Sequence, residues 1–221
     1  MTELEALIEN AHRNWAEAWD RGPTRLRWEK TPLQVGDRAP DFKLADGEGK
    51  PLRLSSLWRD RPALLLFWRY FGCGCGLLRA ERLKQEHPQY LAAGANVVVI
   101  GQGEPLRAAA YRQKHEIPCP ILCDPGRRAY DAYGLLEGNE AQILFDAPDA
   151  MQRRGREAGE EFARARREVG RTPVDSPWQL PGEFVMDAKG VVRLAYRYQY
   201  CEDFPNPLVL IAAIRAARGE L

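Results

Sequence analysis

A single glycine separates Cys73 from Cys75 in the segment Phe67-Trp-Arg-Tyr-Phe-Gly-Cys-Gly-Cys-Gly76. The segment follows an unbroken apolar run, Ala63–Trp68, and precedes a stretch with helical periodicity, so both sulfurs fall at a strand-to-helix junction. A thiol at a helix N-terminus faces unpaired backbone N–H groups and the positive end of the helix dipole, and both favour its thiolate. Gly72, Gly74 and Gly76 let the backbone turn tightly and approach a substrate closely. Arg69 and Arg79 are candidates to add positive potential. A thiolate of this kind attacks S–S or O–O bonds. A second sulfur two positions away then closes a disulfide, Cys75 onto Cys73 or the reverse, in a tight ring. Two other roles stay open at this point. The pair could be structural, or could join Cys119 and Cys123 around zinc or an iron–sulfur cluster, although C-x-C and C-x3-C are less typical of zinc sites than C-x2-C.

The elements that must carry these residues are read from periodicity. Residues 3–20 place Leu4, Leu7, Ile8, Ala11, Trp15, Ala18 and Trp19 on one helical face, and Gly22-Pro23 ends it. Lys43–Leu54 reads as a hairpin around Asp46-Gly-Glu-Gly49. The helix after the cysteines runs from about Gly76 to Ala93 with a possible kink at Pro88. Asn96–Ile100 is a second buried strand, Glu104–His115 a helix with proline in its first turn, Cys119–Cys123 a short strand and Gly126–Tyr133 a short helix. Glu183–Asp187 and Val191–Tyr198 form a hairpin, and a last helix spans about Pro207–Arg218. Strand–helix alternation followed by a hairpin predicts an α/β sandwich with a mixed sheet.

Composition bounds the rest. Hydrophobic residues at 45% and charged residues at 29% fit an ordinary globular chain of 221 residues. No apolar run approaches the roughly 20 residues that cross a bilayer, and the N-terminus has no secretory pattern, so the expected location is the cytoplasm, without membrane attachment. The net charge of +1 gives no pointer to nucleic acid. Five cysteines, an odd number, argue against a secreted disulfide framework and for catalytic or metal-binding roles.

Weaker signals remain. Alternation in Cys119-Pro-Ile-Leu-Cys123 puts both cysteines on one strand face, where core packing is expected. Cys201 follows the last strand, where a resolving role is open to it. Gly101-Gln-Gly103 is faintly similar to a nucleotide-binding loop but lacks the third glycine. Asp146, Asp149 and Asp175 form no recognisable carboxylate pair. Pro148–Val169 is dense in Arg and Glu and reads as a solvated helix within an insertion at about 137–178.

Several motifs together resemble the peroxiredoxin family in its broad sense, alkyl hydroperoxide reductase/thiol-specific antioxidant proteins of thioredoxin fold. They are Val35-Gly-Asp-Arg-Ala-Pro-Asp-Phe42, Leu54-Ser-Ser-Leu57 before the apolar strand, Cys123-Asp-Pro-Gly126 before Ala129-Tyr-Asp-Ala-Tyr-Gly134, and Gly182-Glu-Phe-Val-Met-Asp-Ala-Lys-Gly190. The resemblance covers about residues 33–215. It implies a thioredoxin-like three-layer sandwich over 33–221, with a helical extension over 1–32 and the insertion before the final hairpin. The peroxiredoxin-like branch carries a Phe-Gly-Cys-x-x-Cys-Arg site. Counting forward from Phe67 puts its first cysteine on Cys73, and counting back from Arg79-Ala-Glu81 puts it on Cys75. We take Cys73 as nucleophile and Cys75 as resolver.

The resemblance also implies an antioxidant role without organic or metal cofactor, a disulfide or hydroperoxide substrate, and a thioredoxin- or glutathione-type reductant; a homodimer is left open. Peroxiredoxins place Thr or Ser three residues before the reactive cysteine and bring an Arg from a later strand. Here those places hold Tyr70 (or Gly72, counting from Cys75) and Pro181-Gly182. Leu180-Pro181-Gly182 instead resembles the thioredoxin loop whose cis-proline faces the active cysteines. Thiol–disulfide exchange therefore suits these residues better than peroxide reduction, with Cys73, Cys75, Pro181 and Arg69 as the site.

Overall fold

The computed structural model describes residues 1–71, 73–143 and 175–220. The Pro148–Val169 segment, most of the expected insertion, Asp146, Asp149 and Gly72 lie outside the described residues.

Among the described residues seven strands form one mixed sheet in the order β2-β1-β5-β4-β3-β6-β7. Its strands are β1 (Lys43–Ala45), β2 (Pro51–Arg53), β3 (Ala63–Phe67), β4 (Asn96–Gly101), β5 (Ile121–Cys123), β6 (Gly182–Met186) and β7 (Val192–Arg197). The central β3 pairs in parallel with β4 and antiparallel with β6, so that Leu65 lies between Val98 and Phe184. A strand so flanked has its backbone groups satisfied on both edges, and every residue of β3 is buried. Its side chains alternate. Leu64 and Leu66 enter one apolar cluster with Val97, Val99 and Val185, while Ala63, Leu65 and Phe67 enter a second with Val98, Ile100 and Phe184. Each fully buried Leu contributes about 1.5–3 kcal/mol.

Among the described residues five helices lie within two residues of the expected boundaries, and two four-residue helices were not expected. They are α1 (Glu3–Arg21), α2 (Ser55–Trp58), α3 (Gly74–Ala92), α4 (Pro105–Lys114), α5 (Arg128–Ala132), α6 (Glu140–Ile143) and α7 (Pro207–Ala217). The first cluster packs against Leu83 and Tyr90 of α3, Ala108 of α4, and Leu210 and Ile214 of α7. The second is covered by Trp58 of α2, Ala129 and Tyr130 of α5, and Tyr133. Two helical layers therefore enclose the sheet, as a three-layer sandwich requires. At the head of α1, Thr2 accepts from the Glu5 N–H at 3.2 Å while the Glu5 carboxylate accepts from the Thr2 N–H at 2.7 Å, a reciprocal cap. The helix ends at Gly22, where φ is +79°. Pro88 sits inside α3, and the helix continues through it.

Candidate active site

The end of β3 is fixed before the chain turns out of the sheet. The Trp68 N–H donates to the Ile100 carbonyl at 2.9 Å, and the buried Tyr130 hydroxyl donates to the Trp68 carbonyl at 2.7 Å. Phe71 then packs its ring onto the backbone of Gly101 and Gly103, where any Cβ would collide with the ring. The glycines of Gly101-Gln-Gly103 thus make room for the cysteine loop, which accounts for a pattern that resembles a nucleotide site. Asp175 adds a clamp: its buried carboxylate pairs with Arg107, whose guanidinium lies over the Phe71 ring.

Cys73 follows in extended conformation (φ −70°, ψ 150°) as the N-cap of α3, and its sulfur accepts from the Gly76 N–H at 2.9 Å. A side chain at position 76 would put Cβ 3.1 Å from that sulfur, so glycine is what lets the N–H come so near. The Cys73 and Cys75 sulfurs are 2.6 Å apart. Arg69 directs Nη1 at the Cys75 sulfur, 3.8 Å away, and donates from Nη2 to the Pro177 carbonyl. Burial opposes the charge on Arg69, but the electrostatic pull of Cys201, Tyr70, Cys75 and Cys73 outweighs it and raises its pKa well above the ordinary value.

A third sulfur completes the group. Cys201 is buried in one cluster with Cys73 and Cys75. It donates to the Ile143 carbonyl at 3.0 Å, and its own N–H donates to the Gln142 carbonyl at 3.1 Å. Its interaction with Cys75, together with burial, pushes its thiol up, against the counteracting pull of Arg69. More than a hundred residues of chain separate Cys201 from Cys75, and only the return of the chain after β7 joins them.

The sulfurs are covered. Cys73 has no exposed surface and Cys75 has 4%. Trp15 and Trp19 of α1 stack with centroids 5.5 Å apart, and Trp19 stacks on Trp178 at 4.4 Å. The Trp178 indole N–H donates to the Ala18 carbonyl at 2.7 Å, which ties the cover to the first helix. Beside Trp178 lies a cleft of about 260 Å³ bordered by Arg21, Gln102, Arg127, Glu137 and Asp175.

Arg79 serves α3 rather than the sulfurs. Its Nε donates to Glu183 at 2.9 Å and its Nη1 to Glu86 at 2.7 Å, while the hydroxyls of Tyr198 and Tyr90 donate to the same two carboxylates at 2.6 and 2.8 Å. This buried network pins α3 to β6 and to the segment leading to Cys201. Removing one partner of such a pair costs about 3–5 kcal/mol, because a charge is left buried alone.

Sequence-based expectations at the site meet different outcomes. Cys73, Cys75 and Arg69 do come together, and Cys201 joins them. The implied cis bond before Pro181 is not found: no peptide among the described residues is cis. The chain is held extended there, because Leu180 donates to the Leu136 carbonyl, Gln179 bridges to Glu137, and the Pro181 carbonyl accepts from Tyr198. Those pairings run the backbone straight into β6, with the Leu180 side chain in the same buried cluster as Cys73 and Cys75. Gly182 has no room for a longer side chain, since a Cβ would lie 2.5 Å from Leu135. The cation beside the sulfurs comes from Arg69 in the loop itself. Cys119 and Cys123 belong to the cluster under α3 and α7, apart from the cluster of Cys73, Cys75 and Cys201. Among the described residues no group of three or more His, Cys, Asp and Glu side chains is arranged to hold a metal ion. Sequence reasoning missed the tryptophan cover; Trp15 and Trp19 were visible only as one face of a helix.

An α/β sandwich with a capping cysteine after its central strand defines a thioredoxin-like protein. The AhpC/TSA family matches residues 35–195, and the chain belongs to that family. It is 32% identical over 110 residues to the thiol-disulfide oxidoreductase ResA of Geobacillus thermodenitrificans, covering 48% of this chain and 61% of that protein. It is 25% identical over 170 residues to the chloroplastic peroxiredoxin Q of Populus jackii, covering 76% of this chain and 62% of that one. The chain spans about half to two thirds of the length of the curated relatives it matches. The crystal structure of peroxidoxin BcpB from Mycobacterium tuberculosis superposes with a TM-score of 0.59 at 18% identity, over 83% of this chain and 97% of that one, a likeness of fold. Among the described residues no helix is long and apolar enough to cross a membrane.

Proposed function

We propose that this protein is a thiol-dependent oxidoreductase with an antioxidant role that exchanges disulfides through Cys73 and Cys75. The Cys73 thiolate attacks one sulfur of a substrate disulfide and expels the other as a thiolate. Cys75 then attacks the Cys73 sulfur, releases the first substrate half as a thiol and leaves a Cys73–Cys75 disulfide. A thioredoxin- or glutathione-type reductant returns both to thiols. The observation that carries this reading is the position of one sulfur, Cys73, within reach of both the Gly76 N–H at 2.9 Å and the Cys75 sulfur at 2.6 Å. A cytoplasmic location suits it, since an odd number of cysteines argues against a secreted disulfide framework. Reduction of insulin or of a small disulfide by the parent and by Cys73→Ser tests it: the variant falls to the uncatalysed background, and equal rates remove Cys73 from the mechanism.

Arg69 favours a second reading, hydroperoxide reduction, because a buried cation beside the sulfurs offsets charge developing on a cleaved O–O bond. Stopped-flow oxidation by hydrogen peroxide separates the two. Thiolate loss far faster than that of a free thiol supports the peroxidase, and loss at the free-thiol rate excludes it.

A further inference from the structure

We propose that Cys201 is a third redox-active residue, which takes Cys75 away from Cys73 after each oxidation and stores the disulfide as Cys75–Cys201. The inference rests on the exchange reading above and extends it. Cys73, Cys75 and Cys201 share one buried cluster, and Arg69 directs its guanidinium at the Cys75 sulfur within it. Its position is fixed by the Cys201 N–H on Gln142 and by the carbonyl of Ile143 that its sulfur meets at 3.0 Å.

The exchange balances without any outside oxidant. Cys201 gives up its proton to water and attacks the Cys75 sulfur of the Cys73–Cys75 disulfide. The Cys75–Cys201 bond forms, the Cys73–Cys75 bond breaks, and the electron pair leaves on Cys73 as a thiolate. One disulfide replaces another, so no net oxidation or reduction occurs. Two features set the direction. The better leaving group in thiol–disulfide exchange is the sulfur whose thiolate is more stabilised, and Cys73 leaves onto the Gly76 N–H at the start of α3. The new bond also replaces a ring closed across one glycine by one free of that constraint. While Cys201 is anionic on the way to attack, Arg69 faces it. The outcome is an oxidised protein whose nucleophile is again free.

The 221-residue chain, treated with one or with two equivalents of hydroxyethyl disulfide, quenched in acid, alkylated and mapped by mass spectrometry, tests the relay. Expected is a Cys75–Cys201 cross-link with Cys73 alkylated after one equivalent, and with Cys73 in a mixed disulfide after two. In Cys201→Ser the cross-link moves to Cys73–Cys75 and the second uptake is lost. Should that variant fail to fold, the map of the parent decides alone. A parent that keeps Cys73–Cys75 with Cys201 alkylated overturns the relay and leaves the exchange reading intact, whereas a parent in which Cys73, Cys75 and Cys201 are all alkylated and none is cross-linked overturns both.

Discussion

Two groups of cysteines lie buried in this molecule, in surroundings that differ in kind. Cys119 and Cys123 pack with Val99 and Ile121 under the helices on one sheet face. Burial pushes both thiols up to about 12, despite the opposing pull of Arg112 on Cys119 and of Arg107 on Cys123. Cys73 is buried at least as deeply, yet it caps a helix, accepts a backbone N–H and shares its pocket with a guanidinium and two more sulfurs. Depth alone therefore does not distinguish the two groups. What sets Cys73 apart is its place as the cap of α3 with a second sulfur 2.6 Å away.

The contrast is broken most strongly by removing the cation. Arg69→Met should slow alkylation of the Cys73–Cys75 pair about tenfold at pH 7, since an opposite charge so placed shifts a thiol by about one pK unit or more. Rates followed by mass-resolved labelling check it, and an unchanged rate would leave the helix N-terminus as the sole source of reactivity. Gly76→Ala comes next, because its Cβ would press on the Cys73 sulfur at 3.1 Å and move it from the N–H. A several-fold slower reaction with little change in thermal stability is expected.

The smallest effect belongs to the other group. Because the folded chain holds the Cys119 and Cys123 protons up to about pH 12 while an ordinary thiol releases its proton near 9, the unfolded state binds fewer protons above that pH. Stability is unaffected by these thiols below about pH 9 and declines above it, by at most about 1.4 kcal/mol per pH unit for each. Cys119→Ala with Cys123→Ala should flatten that decline in urea titrations at pH 8 to 11 and leave disulfide exchange unchanged.

Much of this was legible in the sequence. The apolar run of β3, the glycine-flanked cysteines and the helix after them fix the cap at Cys73, because each feature is local. The alternation of Cys119, Ile121 and Cys123 likewise gave their shared core face. What escaped depends on contacts between distant segments. Cys201 meets Cys75 only when β7 returns the chain, Trp178 meets Trp19 only when α1 folds over the site, and Arg79 finds Glu183 across the sheet. Pro181 shows the converse error. A tripeptide suggested a cis bond, but the pairing of Gln179 and Leu180 with residues 136 and 137 dictates an extended path.

Brief treatment of the folded, fully reduced protein with substoichiometric iodoacetamide at pH 7, followed by peptide mapping, probes the central claim most directly. Label should arrive first on Cys73, while Cys119 and Cys123 stay unlabelled until the chain is denatured; at a value of about 12, roughly one in 10⁵ of the latter is thiolate at pH 7. Label spread evenly over the five sulfurs, or landing first on Cys119 or Cys123, would contradict the account.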